Sequence, residues 1–146
     1  MFSQAGPSGL FGILSVLSGP DMGMTANAFA SWLNAYGRAW TGRDPQAAAD
    51  LFAEHGTYQI TPFLEPMRGR QAILEYWTNV VQTQQDIHFG YEILAVTPDC
   101  GIARWWASFV IVPPGLSTKL DGIFLISLDE NGRCHSLREW WHKQQD

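Results

Sequence analysis

Lysine is nearly missing from this chain. Two occur in 146 residues, and Lys and Arg together number nine against fourteen Asp and Glu, a formal net charge of −5. The few basic residues form no cluster, so the electrostatic footprint that binds a phosphate backbone is absent. No nucleic-acid partner is predicted. Cysteine is scarce too. Cys100 and Cys134 lie far apart and neither belongs to a CxxC pair, so no zinc site or redox dithiol is indicated. They read as two free thiols of a protein in a reducing cytoplasm, with a disulfide between them left open. None of His55, His88, His135 and His142 shares an element with another at metal-ligand spacing. No metal and no organic cofactor is expected.

Long hydrophobic runs are also lacking. The run GLFGILSVLS, residues 9–18, is too short to span a bilayer. No positive residue precedes it, as a signal peptide would require, because the first basic residue is Arg38. No membrane partner is expected. Residues 1–23 read as an N-terminal extension, packed on the domain or on a neighbouring subunit, and Met22 or Met24 is a candidate start. Residues 24–146 read as one domain.

What the chain has in quantity is aromatic surface: seven Trp, four Tyr and eight Phe. Rings in that number fill a core or line a cavity. Thr25 caps a predicted helix with Ala28, Phe29, Trp32, Leu33, Tyr36 and Trp40 on one stripe, ended by Gly42. Asp44-Pro45 opens a second, expected to carry Ala48, Leu51 and Phe52 and to close near Gly56. Thr57 to Ile60 reads as a short strand, and Pro62, Pro66 and Gly69 as an irregular loop. Arg70 to Gln82 is a third helix. Beyond residue 85 the period changes to two. Four strands follow, separated by turns at Pro98–Gly101, Pro113–Gly115 and Asp129–Gly132. Helices first and strands later predict an α+β fold, helices on one face of a curved sheet, with room for a pocket between.

The stretch LREWWHK, Leu137–Lys143, holds the first candidate site residue. On a strand, Leu137, Glu139 and Trp141 share one face, and Arg138, Trp140 and His142 the other. A Glu among Leu and Trp is either reaching solvent from an edge strand or serving as a pocket carboxylate. Asp86 and His88 read as a solvated strand face, and Asp121 as a turn residue or an acid at a pocket mouth. The apolar loop Thr61–Met67 reads as a lid or a packed loop.

Several segments together carry a resemblance. Trp32, Leu51-Phe52-Ala53-Glu54-His55-Gly56-Thr57-Tyr58, Arg68-Gly69-Arg70-Gln71-Ala72-Ile73, Asp129-Glu130-Asn131-Gly132-Arg133 and Arg138-Glu139-Trp140-Trp141 occur in an order that resembles the nuclear-transport-factor-2-like superfamily, and within it the SnoaL-like domains. The resemblance covers roughly residues 25–143. It implies a cone-shaped α+β barrel: three N-terminal helices packed on a strongly curved, mostly antiparallel sheet enclosing a pocket, with a homodimer formed through the sheet face. The functions it implies range over polyketide cyclases, ketosteroid isomerases, epoxide hydrolases, dehydratases and domains without chemistry. Fold alone does not choose among them.

Against limonene-epoxide-hydrolase-like members, Glu139 occupies the place of the water-activating acid, Arg104 that of its arginine and Tyr58 that of a water-positioning tyrosine. Trp106 stands where a second acid is expected, and Ile60 where an Asn is expected. Against the isomerases, Thr61 falls near the base, Phe124 near the acidic oxyanion donor and Tyr36 near a tyrosine. The catalytic candidates are therefore Glu139, Arg104 and Tyr58. Tyr36, Trp77, Trp106, Phe124, Trp141, Ile60 and Phe63 are candidates to line the pocket. Arg104 is expected to face Glu139 inside it, and Trp105 and Trp140 to face outward to a second subunit. The function expected is binding of a hydrophobic small molecule, with cofactor-independent acid/base chemistry of hydrolase, isomerase or cyclase type, or else a non-catalytic ligand-binding or dimeric interaction module.

Overall fold

A computed structural model describes residues 23–146. Expectations for residues 1–22 lie outside the described residues. Helix α1 (Ala26–Thr41) begins where the Thr25 hydroxyl accepts a hydrogen bond from Ala28 N at 3.1 Å. Its stripe Phe29, Trp32, Leu33, Tyr36 and Trp40 is buried, and the chain leaves it at Gly42. Helix α2 (Pro45–Ala49) has Asp44 as its cap, accepting from Ala47 N at 3.0 Å. It is shorter than its sequence suggested. Leu51 and Phe52 do not extend it, because the Leu51 carbonyl accepts from both Trp32 Nε1 and Cys134 N, and a strand starts at Phe52. Helix α3 (Arg70–Gln82) matches its expected span. It follows Gly69, whose φ of +92° is open to glycine and strained for other residues.

Six strands form one sheet: β1 (Phe52–Gln59), β2 (Met67–Arg68), β3 (Gln84–Val96), β4 (Gly101–Ile111), β5 (Leu116–Leu128) and β6 (Cys134–Gln145). The short β2 lies where an irregular loop was expected. The order is β2-β1-β6-β5-β4-β3, with β1 parallel to β6 and every other pair antiparallel. This corrects the expected architecture. The class is α+β with three helices, but the sheet is open and mixed, with β2 and β3 as its edges. It is not a strongly curved sheet closed into a cone-shaped barrel.

Ring packing fills the space between helices and sheet. Tyr36 stacks on Trp32 at 5.2 Å between centroids and meets Trp77, Phe89 and Phe124 edge-on at 5.5–5.6 Å. Trp105 stacks on Phe124 at 5.0 Å. Such contacts add roughly 0.5–1.5 kcal/mol per pair beyond the area buried. Cys100 and Cys134 are both free thiols. No helix among the described residues is long and apolar enough to cross a membrane.

Candidate functional site

The parity of each strand decides which side chains meet. On β4, Gly101, Ala103, Trp105, Ala107 and Phe109 face the helices and are buried, whereas Arg104 and Trp106 face outward. The expected parity is therefore reversed: Trp105 is the inner tryptophan and Trp106 the outer one. A one-residue change of frame moves every side chain of a strand to the other face. The composition of the rows explains the outcome. The inner row is small residues and rings, which fit against the aromatic stripe of α1. The outer row contains the arginine.

On β6 the expected parity is observed. Leu137 and Glu139 are buried, and Arg138, Trp140 and His142 are exposed. Across the inner face, Ala103, Phe124 and Glu139 lie in register, and so do Trp105, Gly122 and Trp141. Gly122 is required there, since a Cβ would strike the Trp140 carbonyl and come within 2.7 Å of Trp141 Cβ.

Glu139 is only 6% exposed. The Tyr58 hydroxyl on β1 donates to its Oε1 at 3.3 Å, and the Tyr36 and Tyr58 hydroxyls are 3.4 Å apart. A tyrosine has one proton to donate. With the Tyr58 proton committed to Glu139, Tyr36 donates to Tyr58, giving a directed chain from α1 through β1 to β6. Tyr76 on α3 closes the cluster, its ring edge-on to Tyr58 at 5.5 Å. Both hydroxyl bonds are long for their type and solvate a carboxylate poorly. Burial consequently pushes the Glu139 carboxyl up to about 8, opposed only by the Tyr58 hydrogen bond. Burial and the Glu139 charge together push the Tyr36, Tyr58 and Tyr76 hydroxyls upward as well. Near neutral pH the site is a carboxylic acid among neutral phenols: a proton donor below about pH 8 and an acceptor above it.

Arg104 does not meet Glu139. It lies on the outer face, where its Nε and Nη2 donate to the two Asp121 carboxylate oxygens at 3.1 and 2.5 Å. Glu92 is 3.6 Å from Nη1. Its guanidinium lies 4.7 Å from the centre of the Trp106 ring. The hydrogen bonds from Arg104 hold the Asp121 carboxyl below its usual range. Asp121 is thus a strand residue of β5 and not a turn residue.

Tyr36, Trp77 and Phe124 sit in the inner cluster as expected. Trp141 stands at its rim, 37% exposed, with Nε1 donating to the Ile60 carbonyl at 2.9 Å. Phe63 is 91% exposed on the loop beyond β1 and lines nothing between the layers. Tyr76 belongs to the site, although sequence reasoning passed over it. The signal was available: it precedes Trp77 and falls three residues after Ile73 on the buried side of α3. Among the described residues no three His, Cys, Asp or Glu side chains converge as a metal site would need. A groove of about 560 Å³ opens on the outer face of the sheet, bordered by Arg104, Trp106, Asp121 and His142.

Comparisons with known proteins agree with this fold. The chain is similar in structure to SalBIII, an epoxide hydrolase/cyclase-like enzyme with a role in pyran ring formation in the polyether salinomycin. The TM-score is 0.68 at 19% identity, over 77% of this chain and 89% of that one. It is also similar to RV0760c from Mycobacterium tuberculosis, with a TM-score of 0.73 at 12% identity, over 84% of this chain and 99% of that one. At these identities the likeness is one of fold. No curated protein matches. The SnoaL-like domain profile matches residues 33–136, most of the described chain. On that match, set in this fold, the chain belongs to the SnoaL-like domain family.

Proposed function

We propose that this protein binds a hydrophobic small molecule at the inner end of β6 and exchanges a proton with it through Glu139, without an organic cofactor. The observation that carries this reading is a carboxyl buried to 6% exposure whose one hydrogen bond among the described residues comes from Tyr58. A buried acid with a raised pKa, steadied by a phenol, is suited to protonating an oxygen or nitrogen of a ligand. Tyr58 holds the carboxyl in place, and Tyr36 holds Tyr58. Trp77, Phe124, Ile60 and Trp141 supply apolar walls. Arg104 has no part in the step, since its guanidinium is engaged on the opposite face.

The reaction class that fits is a hydrolase, isomerase or cyclase step on a weakly basic oxygen. SalBIII, with the same fold, is described as epoxide hydrolase/cyclase-like. The test is turnover of a panel of hydrophobic epoxides, enones and polyketide ketones. Glu139→Gln keeps the shape and removes the transferable proton, so it is expected to abolish any turnover the wild type shows. Undiminished turnover in that variant would end the reading.

The second reading is a non-catalytic binding or dimeric interaction module, and the outer face favours it. Trp106 and Trp140 are 38% and 40% exposed there. Glu92, Arg104 and Asp121 give alternating charge across β3, β4 and β5. A second copy packed on this face would cover Trp106 and Trp140. A homodimer through this face is compatible with either reading, as is residence in a reducing cytoplasm. Sedimentation of Trp106→Glu against wild type tests the dimer. A monomer in both would count against it.

A further inference from the structure

Among the described residues Glu139 has no counter-ion: no Lys, Arg or His makes an ion pair with it. Residues 1–22 contain none of these three residue types. The arginines nearest in sequence or register are committed elsewhere. Arg104 is bound to Asp121, and Arg138 lies over the Trp140 ring on the outer face. Arg43 and Arg70 donate to the backbone carbonyls of Val81 and Phe52. A buried carboxyl is ordinarily paired, because its charge alone is costly away from water. Here its surroundings are phenol and indole rings. Tyr58 and Tyr36 connect to it through hydroxyls, Tyr76 abuts Tyr58, and Trp141 is the next inward side chain on its own strand. A carboxyl among aromatic side chains is a chemistry that receives organic ammonium ions.

We infer that the ligand of this site is a hydrophobic organic cation, a protonated amine on an apolar body, that supplies the missing counter-charge to Glu139 among these rings. The inference rests on the proposed binding of a hydrophobic molecule at Glu139 and names its class. Trp141 is the next side chain of the inner row toward the exposed end of β6, and among the described residues it is hydrogen-bonded only to the Ile60 carbonyl. The proton balance is definite. Near neutral pH the free site is largely the carboxylic acid and the amine is an ammonium. The complex is carboxylate with ammonium, so one proton leaves to solvent for each ligand bound. A neutral ligand leaves the acid protonated and releases none.

The test uses the full chain and two probes of the same shape. N,N-dimethylbenzylamine is a cation at pH 6.5, and isobutylbenzene is its neutral counterpart. Calorimetry in two buffers of different ionisation enthalpy counts the protons. The amine is expected to bind at least tenfold more tightly than the hydrocarbon, with close to one proton released. Glu139→Gln is expected to lose that tenfold preference while still binding the hydrocarbon. Arg104→Ala, on the outer face and outside the site, is expected to keep the preference, and the proton count in wild type does not depend on either variant folding. Binding of the hydrocarbon with no preference for the amine would overturn the inference and leave the hydrophobic-site reading standing. Amine binding without proton release would overturn it as well. Failure of both probes, and of the neutral epoxides and ketones of the turnover panel, would sink the inference and the reading beneath it together.

Discussion

Two sites with ionisable groups occupy opposite faces of the same sheet, and they behave in opposite ways. On the outer face Arg104, Asp121 and Glu92 are about half exposed and satisfy one another, and the Asp121 carboxyl is held low. On the inner face Glu139 is buried, meets a phenol and no cation, and is held high. Glu139 and Asp121 sit on neighbouring strands. What separates them is which side of the sheet their parity selects. Water decides the rest: an exposed acid can be charged at little cost, and a buried one waits for a partner.

Mutation of equivalent groups on the two faces would sharpen this contrast. The largest effect is expected from the tryptophan pair on β4. Trp105→Ala removes a buried ring stacked on Phe124 and should cost about 3–5 kcal/mol. Trp106→Ala on the outer face should cost under about 1 kcal/mol in the monomer. Urea denaturation of both variants measures the difference. Equal losses would mean that the inner and outer rows are misassigned.

Next is the pH dependence of Glu139→Gln. The Glu139 carboxyl titrates higher in the folded chain than in the unfolded one, so the folded state binds the extra proton. Wild-type stability from this group is therefore full below the ordinary carboxylate range and is lost as pH rises toward about 8. Gln carries no such penalty. The variant should gain on wild type by an amount on the order of 3 kcal/mol at pH 9 and show no comparable gain at pH 4. Melting curves at the two pH values give the answer, and a gain that ignores pH would contradict the account.

Tyr58→Phe should cost about 1 kcal/mol and raise the Glu139 midpoint further, because it removes the one hydrogen bond that favours the carboxylate. The smallest effect belongs to Arg104→Ala. An exposed ion pair is worth about 0–1 kcal/mol and fades with salt. Denaturation at low and high ionic strength should show that loss shrinking.

Much of the fold was legible because it rests on local signals. The Thr25 and Asp44 caps and the full span of α3 are written in consecutive residues. So are the turns after Val96, Ile111 and Leu128. The misreadings arise where distant contacts rule. Phe52 fits the apolar stripe of α2, yet Trp32 and Cys134 draw the Leu51 carbonyl away and start β1. The strand at Met67–Arg68 is two residues long and exists only through its pairing with β1. Barrel closure is a property of strand order, and the parallel β1–β6 pair that sets one side of that order joins segments some eighty residues apart.

The candidate site divides in the same way. Glu139 was readable from Leu137 and Trp141 on its face. The parity of β4 was readable in principle, since Arg104 marks a solvent row, but a Trp in each row concealed it. That Tyr36 and Tyr58 converge on Glu139 follows from packing three elements together, and no local pattern contains it.

The central claim is that Glu139 is a buried acid with no cation paired to it among the described residues. Its most direct test is the side-chain carboxyl carbon resonance followed through a pH titration by NMR, assigned by its loss in Glu139→Gln. A midpoint near 8, moving higher in Tyr58→Phe, is the result expected. A midpoint in the ordinary range of about 4–5 would mean that the carboxyl is solvated or paired, and would contradict the account.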